Sequence, residues 1–139
     1  MGLVYADIEL INGEDITRFK DNLIQEEQIR RVTAHMMVDS GATMMAINQT
    51  IKAQLGLKKK RTQIARLADG SPLSLEVVGP IEVRFANREA TVNALVLSGD
   101  TEPLLGAIPM EEMDVVIHPT ANQLVVHPDH PNMAVVSLK

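Results

Sequence analysis

The chain has no cysteine and no tryptophan, and its 139 residues include only one tyrosine and two phenylalanines. The lack of cysteine excludes disulfide bonds, thiolate nucleophiles and cysteine-based metal sites. With so few aromatic side chains the core must be aliphatic, with the eight methionines as flexible filler. The length suits one domain over residues 1–139 and is too short for two lobes that each carry half of a catalytic site.

Long apolar runs and an excess of basic charge are missing as well. No apolar segment approaches the roughly 20 residues of a membrane-spanning helix, and the N-terminus lacks a basic region followed by an apolar stretch. We therefore expect a cytoplasmic protein without a membrane partner. The net charge of −5 argues against a nucleic-acid partner. The basic run at residues 58–61 is interpreted as a solvated turn after a helix.

Apolar and polar residues alternate through most of the chain, and this period of two is typical of half-buried strands. Asn48 is a good N-cap and Gly56 a good C-terminal stop, so a short helix is predicted from about 49 to 55. A helical turn is predicted around 109–113. Strands are predicted at about 4–10, 30–38, 62–78 in two segments, 81–85, 90–97, 114–118 and 123–127, with hairpin turns at Asp69-Gly70 and Asn87-Arg88.

Many short strands separated by glycine and proline turns indicate an all-β fold, a closed β-barrel or sandwich with one or two short helices. Asn12-Gly13 and Gly79-Pro80 are interpreted as turns that end strands. Residues 12–29 are charged and only weakly periodic, so they are treated as an unplaced insertion with one helical turn. Residues 128–139 are expected to form a C-terminal tail, with a strand at 134–138.

The most informative feature is Asp39-Ser40-Gly41, which directly follows the apolar run Met36-Met37-Val38 and leads into Ala42-Thr43. A carboxylate on a tight turn of small residues at a strand end can be held rigidly and brought very near a second one. Two carboxylates at that range cannot both ionise cheaply, so they share a proton and become an acid and a base at one site. The chain has one such motif, so the second carboxylate would have to come from a second copy of the chain.

Taken in order, the motifs of this chain resemble those of the retropepsin-type aspartic proteases, an acid protease group that includes retroviral enzymes and bacterial members of the same clan. The resemblance covers roughly residues 30–127. The Asp-Ser-Gly triplet alone is weakly specific, and its order and spacing relative to the other motifs make the match strong. These motifs are residues 36–43, the helix ending at Gly56, the hairpin at residues 68–71, and Leu104-Leu105-Gly106 followed by residues 114–118.

The resemblance implies a role for each of these positions. Asp39 would be the catalytic aspartate, and Ser40 would brace the paired loops from beneath with its hydroxyl. Gly41 would let the backbone come close to the partner loop and the substrate, while Ala42 and Thr43 would line the cleft wall. The other positions are the tip of the flap that closes over bound peptide, at Ala68, Asp69, Gly70 and Ser71, and the step that packs behind the active loop, at Leu104, Leu105 and Gly106.

The implied activity is that of an aspartic endopeptidase. A homodimer with one Asp39 from each subunit would activate a water that attacks the peptide bond of an extended peptide or protein substrate. Neither a metal nor a cofactor is implied. The flap departs from the family pattern, because it is not glycine-rich and carries a charge at its tip. This departure and the 12–29 insertion motivate an alternative, a non-catalytic module that binds peptide or protein in the same groove. A third hypothesis is an enzyme that works only when the chain transiently self-associates.

Plainer interpretations apply to several of these residues. Asp39-Ser40-Gly41 and Asp69-Gly70 are also common turn residues, and the order of the surrounding elements is what favours catalysis and a flap. Met44 and Met45 are interpreted as core filler rather than pocket lining. The spacing of His127, Asp129 and His130 suggests a metal site, but the flanking prolines and the lack of a third ligand cluster favour a solvated tail.

Overall fold

Short strands separated by tight turns make up most of the structure, a computed structural model that describes residues 2–138. Met1 and Lys139, the ends of the predicted 1–139 domain, lie outside the described residues. In chain order the elements are β1 (Tyr5–Asn12), α1 (Gly13–Lys20), a 3-10 turn (Glu26–Gln28), β2 (Arg31–Val38), β3 (Met45–Asn48), α2 (Gln49–Leu55), β4 (Lys59–Arg66), β5 (Pro72–Phe85), β6 (Arg88–Leu97), β7 (Leu104–Leu105), α3 (Ala107–Met113), β8 (Val115–Ile117) and β9 (Leu124–Val126).

Seven of the strands form one sheet in the order β1-β2-β7-β3-β6-β5-β4. β1 also pairs with β5, so the sheet closes into a ring, while β8 and β9 form a separate two-stranded sheet. The predicted all-β class is therefore confirmed, with three short α-helices where one or two were expected. None of the helices within residues 2–138 is long and apolar enough to cross a membrane.

The core lies inside the ring and is aliphatic, as the shortage of aromatic residues requires. Alternate residues of each strand point inward, so Ala34, Met36 and Val38 of β2 are buried while the residues between them are not. Met36, Met45 and Met113 are completely buried, which fits the role of methionine as flexible filler.

Several local predictions were wrong. Asn12-Gly13 does not form the predicted turn, because Asn12 caps α1 and the helix begins at Gly13. β5 continues through Gly79-Pro80 with a register shift between Val78 and Ile81, so the expected break is a bulge inside one long strand. Residues 134–138 form no strand. β3 was not predicted at all, since its four residues are all buried and show no alternation.

One buried carboxylate anchors the segment that was treated as an unplaced insertion. Asp15 is 2% exposed, and its oxygens accept hydrogen bonds from the Arg30 guanidinium at 2.8 and 3.0 Å, from the Arg30 N–H at 3.0 Å and from Arg18 at 2.9 Å. These hydrogen bonds, the Arg30 side chain first, lower the pKa of Asp15 from 3.8 to about 2. The Nδ2 of Asn12 adds a hydrogen bond of 2.8 Å to the carbonyl of Leu55 in α2. The insertion is therefore tied to both β2 and α2.

The pH dependence of stability should reveal this anchor. The folded-state pKa of Asp15 lies below its ordinary value, so the carboxylate stabilises the fold above about pH 4 and this contribution is lost as the pH falls through about 2. We expect Asp15→Asn to lower the free energy of unfolding by about 2 kcal/mol at neutral pH. Urea unfolding should show the parent and the variant converging as the pH falls, with exposed Glu26→Gln as the control. A deficit that did not change with pH would contradict the assignment.

Candidate active site

Asp39 is the first residue after β2, and backbone groups hold it on both sides. Its N–H donates to the carbonyl of Leu105 at 2.9 Å, and its own carbonyl accepts the N–H of Ala42 at 3.1 Å. Its Oδ1 accepts the N–H of Gly41 at 2.9 Å, which sets the direction of the carboxylate. The side chain is half-buried. The turn thus presents a carboxylate that is oriented by the backbone and still reachable.

β7 lies directly behind this turn. It pairs with β2 in parallel, with Leu105 opposite Val38, and with β3 in the antiparallel sense, with Leu104 opposite Ala46. The chain that follows is hydrogen-bonded to the active loop, which we define as residues 39–43, because the N–H of Ala107 donates to the carbonyl of Ala42 at 2.7 Å. The N–H of Ile108 donates in the same way to the carbonyl of Thr43 at 3.0 Å. The loop after Asp39 is therefore enclosed by backbone hydrogen bonds to one short strand and the residues after it.

Gly106 is the point of closest approach between these two segments. A Cβ at this position would lie 2.4 Å from the carbonyl oxygen of Met44 and 2.8 Å from that of Ala42. Both neighbours are backbone atoms, which cannot rotate away as a side chain would. The contact therefore requires a residue without a side chain, and this requirement accounts for the glycine of the Leu-Leu-Gly step.

The flap hairpin, which we define as β4 and β5 with the turn between them, stands opposite the active loop. Its turn closes on itself, with the N–H of Leu67 bonded to the carbonyl of Ser71 at 2.9 Å. Oδ1 of Asp69 accepts both the N–H of Ser71 at 2.9 Å and its hydroxyl at 2.6 Å. These hydrogen bonds lower the pKa of Asp69 below its ordinary value. The carboxylate at the tip is thus hydrogen-bonded within the turn.

A cavity of about 470 Å³, which we call the flap cavity, lies between the flap hairpin and the active loop. Gly41, Ala42 and Thr43 form its edge on the active-loop side. The apolar residues that line it on the hairpin side include Ile64, Leu67, Leu73 and Leu75, beside the polar Gln63 and Arg66, and those on its floor include Ala46, Leu95, Leu97 and Leu104.

The floor of the flap cavity is part of a row of residues that crosses five strands. Tyr5, Met37, Leu104, Ala46 and Leu95 are successive cross-strand partners across β1, β2, β7, β3 and β6. Residues that pair in register point to the same face of a sheet. Leu104, Ala46 and Leu95 line the cavity, whereas Met37 borders the hollow beside Asp39.

The structure brings together two of the three groups of residues singled out from the sequence. Asp39, Ser40, Gly41, Ala42 and Thr43 lie against Leu104, Leu105 and Gly106. The turn residues Ala68, Asp69, Gly70 and Ser71 do not border the flap cavity, whereas the strands on either side of the turn do.

The apolar residues of the flap hairpin on either side of its turn were not predicted as site residues. Ile64, Leu67 and Leu73 are large, apolar and 59%, 47% and 39% exposed. The alternation of residues 62–78 contained the signal for them. The alternation does not show which face of the hairpin turns toward the active loop, because neither face of an edge hairpin is packed against the core.

The other side of the active loop is open. A hollow of about 280 Å³ is bordered by Leu3, Asp39, Ser40 and Ile117, and another of about 340 Å³ is bordered by Ser40, Met110 and Ile117. Both hollows are shallow and lie between the active loop and β8. The carboxylate turn thus has the flap cavity on one side and β8 on the other.

The histidines near the C-terminus fasten the tail to α3. Nδ1 of His130 lies 2.7 Å from Oδ2 of Asp114, and the N–H of Val135 donates to the same oxygen at 3.0 Å. The guanidinium of Arg88, which is buried, donates to the carbonyl of His130, and the rings of His127 and His130 stack at 4.5 Å. No group of three or more His, Cys, Asp or Glu side chains in the described part of the chain is placed to hold a metal ion.

Comparison with known proteins gives two similarities. The family described as gag-polyprotein putative aspartyl protease matches residues 26–111, which include the active loop, the flap hairpin and β7. Among 104 solved chains that match is the retroviral protease-like domain of Ddi1 from Leishmania major, with a TM-score of 0.55 and 15% identity over 92% of this chain and 90% of that one. At that identity the likeness shows the fold. No curated protein matches the sequence.

The stability of the chain should depend on the close approach at Gly106. We expect Gly106→Ala to lower the free energy of unfolding by about 2 kcal/mol or more, because the new methyl group would force backbone carbonyls apart. Gly2→Ala is the control, since its Cβ would meet only the side-chain amide of Asn122 at 3.2 Å. Urea unfolding of both variants makes the comparison. If Gly106→Ala were as stable as the parent, the described packing of β7 on the active loop would be wrong.

Proposed function

This chain belongs to the family of gag-polyprotein putative aspartyl proteases, and we propose that it is an aspartic endopeptidase that works as a homodimer. Each subunit would contribute one Asp39. The observation that supports this most directly is the Asp39 turn, in which the N–H of Gly41 orients a half-buried carboxylate that borders an open hollow. A carboxylate held in this way can meet a symmetric copy of itself without a rearrangement of either loop.

In the proposed dimer the two Asp39 carboxylates share one proton, because two like charges at short range cannot both be borne cheaply. The ionised carboxylate takes a proton from a trapped water, and the resulting nucleophile attacks the carbonyl carbon of the peptide bond. The protonated partner donates to the carbonyl oxygen as negative charge develops on it, which gives a tetrahedral diol. The first carboxyl group then passes the proton it took from water to the amide nitrogen as the C–N bond breaks, and the second aspartate recovers its proton from the diol. The hydrogen bonds from Gly41 and to Leu105 keep the loop in position during these transfers.

The proposed subunit contact uses the free edge of β8. Among the described strands β8 has β9 as its one hydrogen-bonded neighbour, so its other edge is available for a second chain. Antiparallel pairing of two β8 strands about a twofold axis would give a four-stranded sheet. Ile117 of β8 borders both hollows beside Ser40. The contact would therefore bring the two Asp39 turns toward each other.

The proposed substrate is an extended peptide between the flap hairpin and the floor of the flap cavity. Strand-like hydrogen bonds would hold its backbone, as in other cases of β-augmentation. The leucine-rich cavity favours a large apolar side chain next to the cleaved bond, because burying such a side chain stabilises the complex by about 2 kcal/mol.

A non-catalytic peptide-binding module is the second candidate function. It is favoured by the flap turn, where Asp69 is bonded within the turn and the tip does not border the flap cavity. A flap whose tip does not border the cavity would bind peptide without enclosing water around the reacting bond. Such a module would bind peptides saturably and release no product.

Loss of the Asp39 carboxylate should abolish cleavage. The purified chain and Asp39→Asn would be incubated with a proteome-derived peptide library from acid to neutral pH, with cleavage sites identified by mass spectrometry. We expect specific cleavage by the parent and none by the variant, whose amide cannot act as the base. Asp21→Asn, an exposed aspartate at the end of α1, is the control and should cleave normally. Equal cleavage by Asp39→Asn would refute the enzymatic proposal, and binding without product would support the module.

Blocking the free edge of β8 should separate the subunits. The hydrogen bonds from His118 to Gln123 and from His127 to Asp114 show that alternate residues of β8 bond to β9, so the N–H of Ile117 points toward the free edge. We expect Ile117→Pro to shift sedimentation toward the monomer and to abolish cleavage. Ile117→Val should preserve both. In the parent, activity should rise more steeply than protein concentration wherever the dimer dissociates. Full activity of a monomeric Ile117→Pro would rule out the shared site.

A further inference from the structure

The loop at residues 98–103 joins two strands that both line the flap cavity. It follows Leu97 at the end of β6 and precedes Leu104 at the start of β7, and both leucines border the cavity. The loop therefore connects two strands of the cavity floor, and none of its own residues borders the cavity. It makes a tight turn of its own, because the N–H and the hydroxyl of Thr101 both bond to the carbonyl of Ser98, at 3.2 and 2.6 Å.

The loop is tied to the start of α2, and Asn48 is the main tie. Asn48 is 7% exposed and uses both ends of its amide. Its Oδ1 caps α2 by accepting the N–H of Ile51 at 2.9 Å, and its Nδ2 donates to the carbonyl of Thr101 at 3.0 Å. The N–H of Gln49 donates to the carbonyl of Gly99 at 3.1 Å. One buried side chain thus connects a helix cap to the loop that joins two floor strands of the cavity.

Capping alone does not explain asparagine at this position. Serine and aspartate cap helices about as well as asparagine, but neither can donate to the carbonyl of Thr101 while its oxygen accepts from Ile51. The donor is therefore the feature specific to this side chain. Thr50 supports the same connection from the exposed side, since its hydroxyl bonds to the carboxylate of Asp100.

We propose that Asn48 is a positioning residue for the substrate, acting through the loop at residues 98–103. By holding this loop against α2 it keeps the two floor strands of the flap cavity in one position, so a substrate side chain enters without first ordering the floor. This inference rests on the proposed function. The hydrogen bonds that hold the active loop, from Asp39 to Leu105 and from Ala107 to Ala42, lie beyond residues 98–103. Loosening this loop should therefore weaken binding more than it slows the chemical step.

The chain offers a matched control in Asn12. Asn12 makes the same two hydrogen bonds at α1, with its Oδ1 accepting from Asp15 at 3.0 Å and its Nδ2 donating to Leu55 at 2.8 Å. It is also buried, and it does not border the flap cavity. Replacing either asparagine by serine keeps a helix cap and removes one distant hydrogen bond. The two variants differ in the partner of the lost hydrogen bond, which is Thr101 in the loop beside the cavity for Asn48 and Leu55 in α2 for Asn12.

The experiment measures steady-state kinetics of the parent, Asn48→Ser and Asn12→Ser on the best peptide from the library. For Asn48→Ser we expect KM to rise about fivefold, which is the size of one intramolecular hydrogen bond, with kcat within about twofold of the parent. Amide hydrogen exchange at residues 98–103 should become faster in this variant alone. Thr50→Val should shift KM in the same direction by less, and it serves as the second variant if Asn48→Ser folds poorly.

The outcomes separate this inference from the proposed function. If the parent cleaves no peptide, the proposed function fails and the positioning role fails with it. If the parent cleaves and neither Asn48→Ser nor Thr50→Val changes KM, the positioning role alone is overturned. An equal rise of KM in Asn12→Ser would also overturn it, because the effect would then come from general loosening of the fold. A fall in kcat without a change in KM would contradict it as well.

Discussion

The packing of β7 and Gly106 against the turn after Asp39 is the contact on which the rest of the site depends. It consists of backbone groups, with the N–H of Asp39 bonded to the carbonyl of Leu105 and no room for a side chain at Gly106. Backbone contacts of this kind hold the carboxylate at one place and in one direction. The same short strand turns Leu104 toward the flap cavity and Leu105 into the core, so the core, the cavity floor and the carboxylate share one support.

In the proposed dimer this support would produce one half of a site. The flap cavity lies on one side of the Asp39 turn, and on the other side shallow hollows run toward β8. An open carboxylate next to an unpaired strand edge is the arrangement that a twofold axis completes, because each surface then meets its own copy. The proposed dimer is the assembly that would join the two halves.

Local patterns predicted much of this fold, and their failures have physical reasons. The alternation of β2 and the N-cap at Asn48 depend on neighbouring residues, and both features lie where the sequence indicated. Asn12 misled because asparagine before glycine serves a turn or a helix cap equally well, and the buried Asp15 decided for the helix. β3 was missed because a strand covered on both faces has no alternation to detect.

The sequence by itself determined the class of fold, the position of Asp39 after a strand, and the small residues of its turn, since these follow from residues a few positions apart. Only the tertiary structure decided that Leu105 and Gly106 lie behind that turn. It also decided that the strands of the flap hairpin line the cavity and that Asn48 is hydrogen-bonded to Thr101. Such contacts depend on strand order and register. A shift of one residue in β7 would exchange Leu104 and Leu105 between cavity and core, and no local pattern encodes that choice.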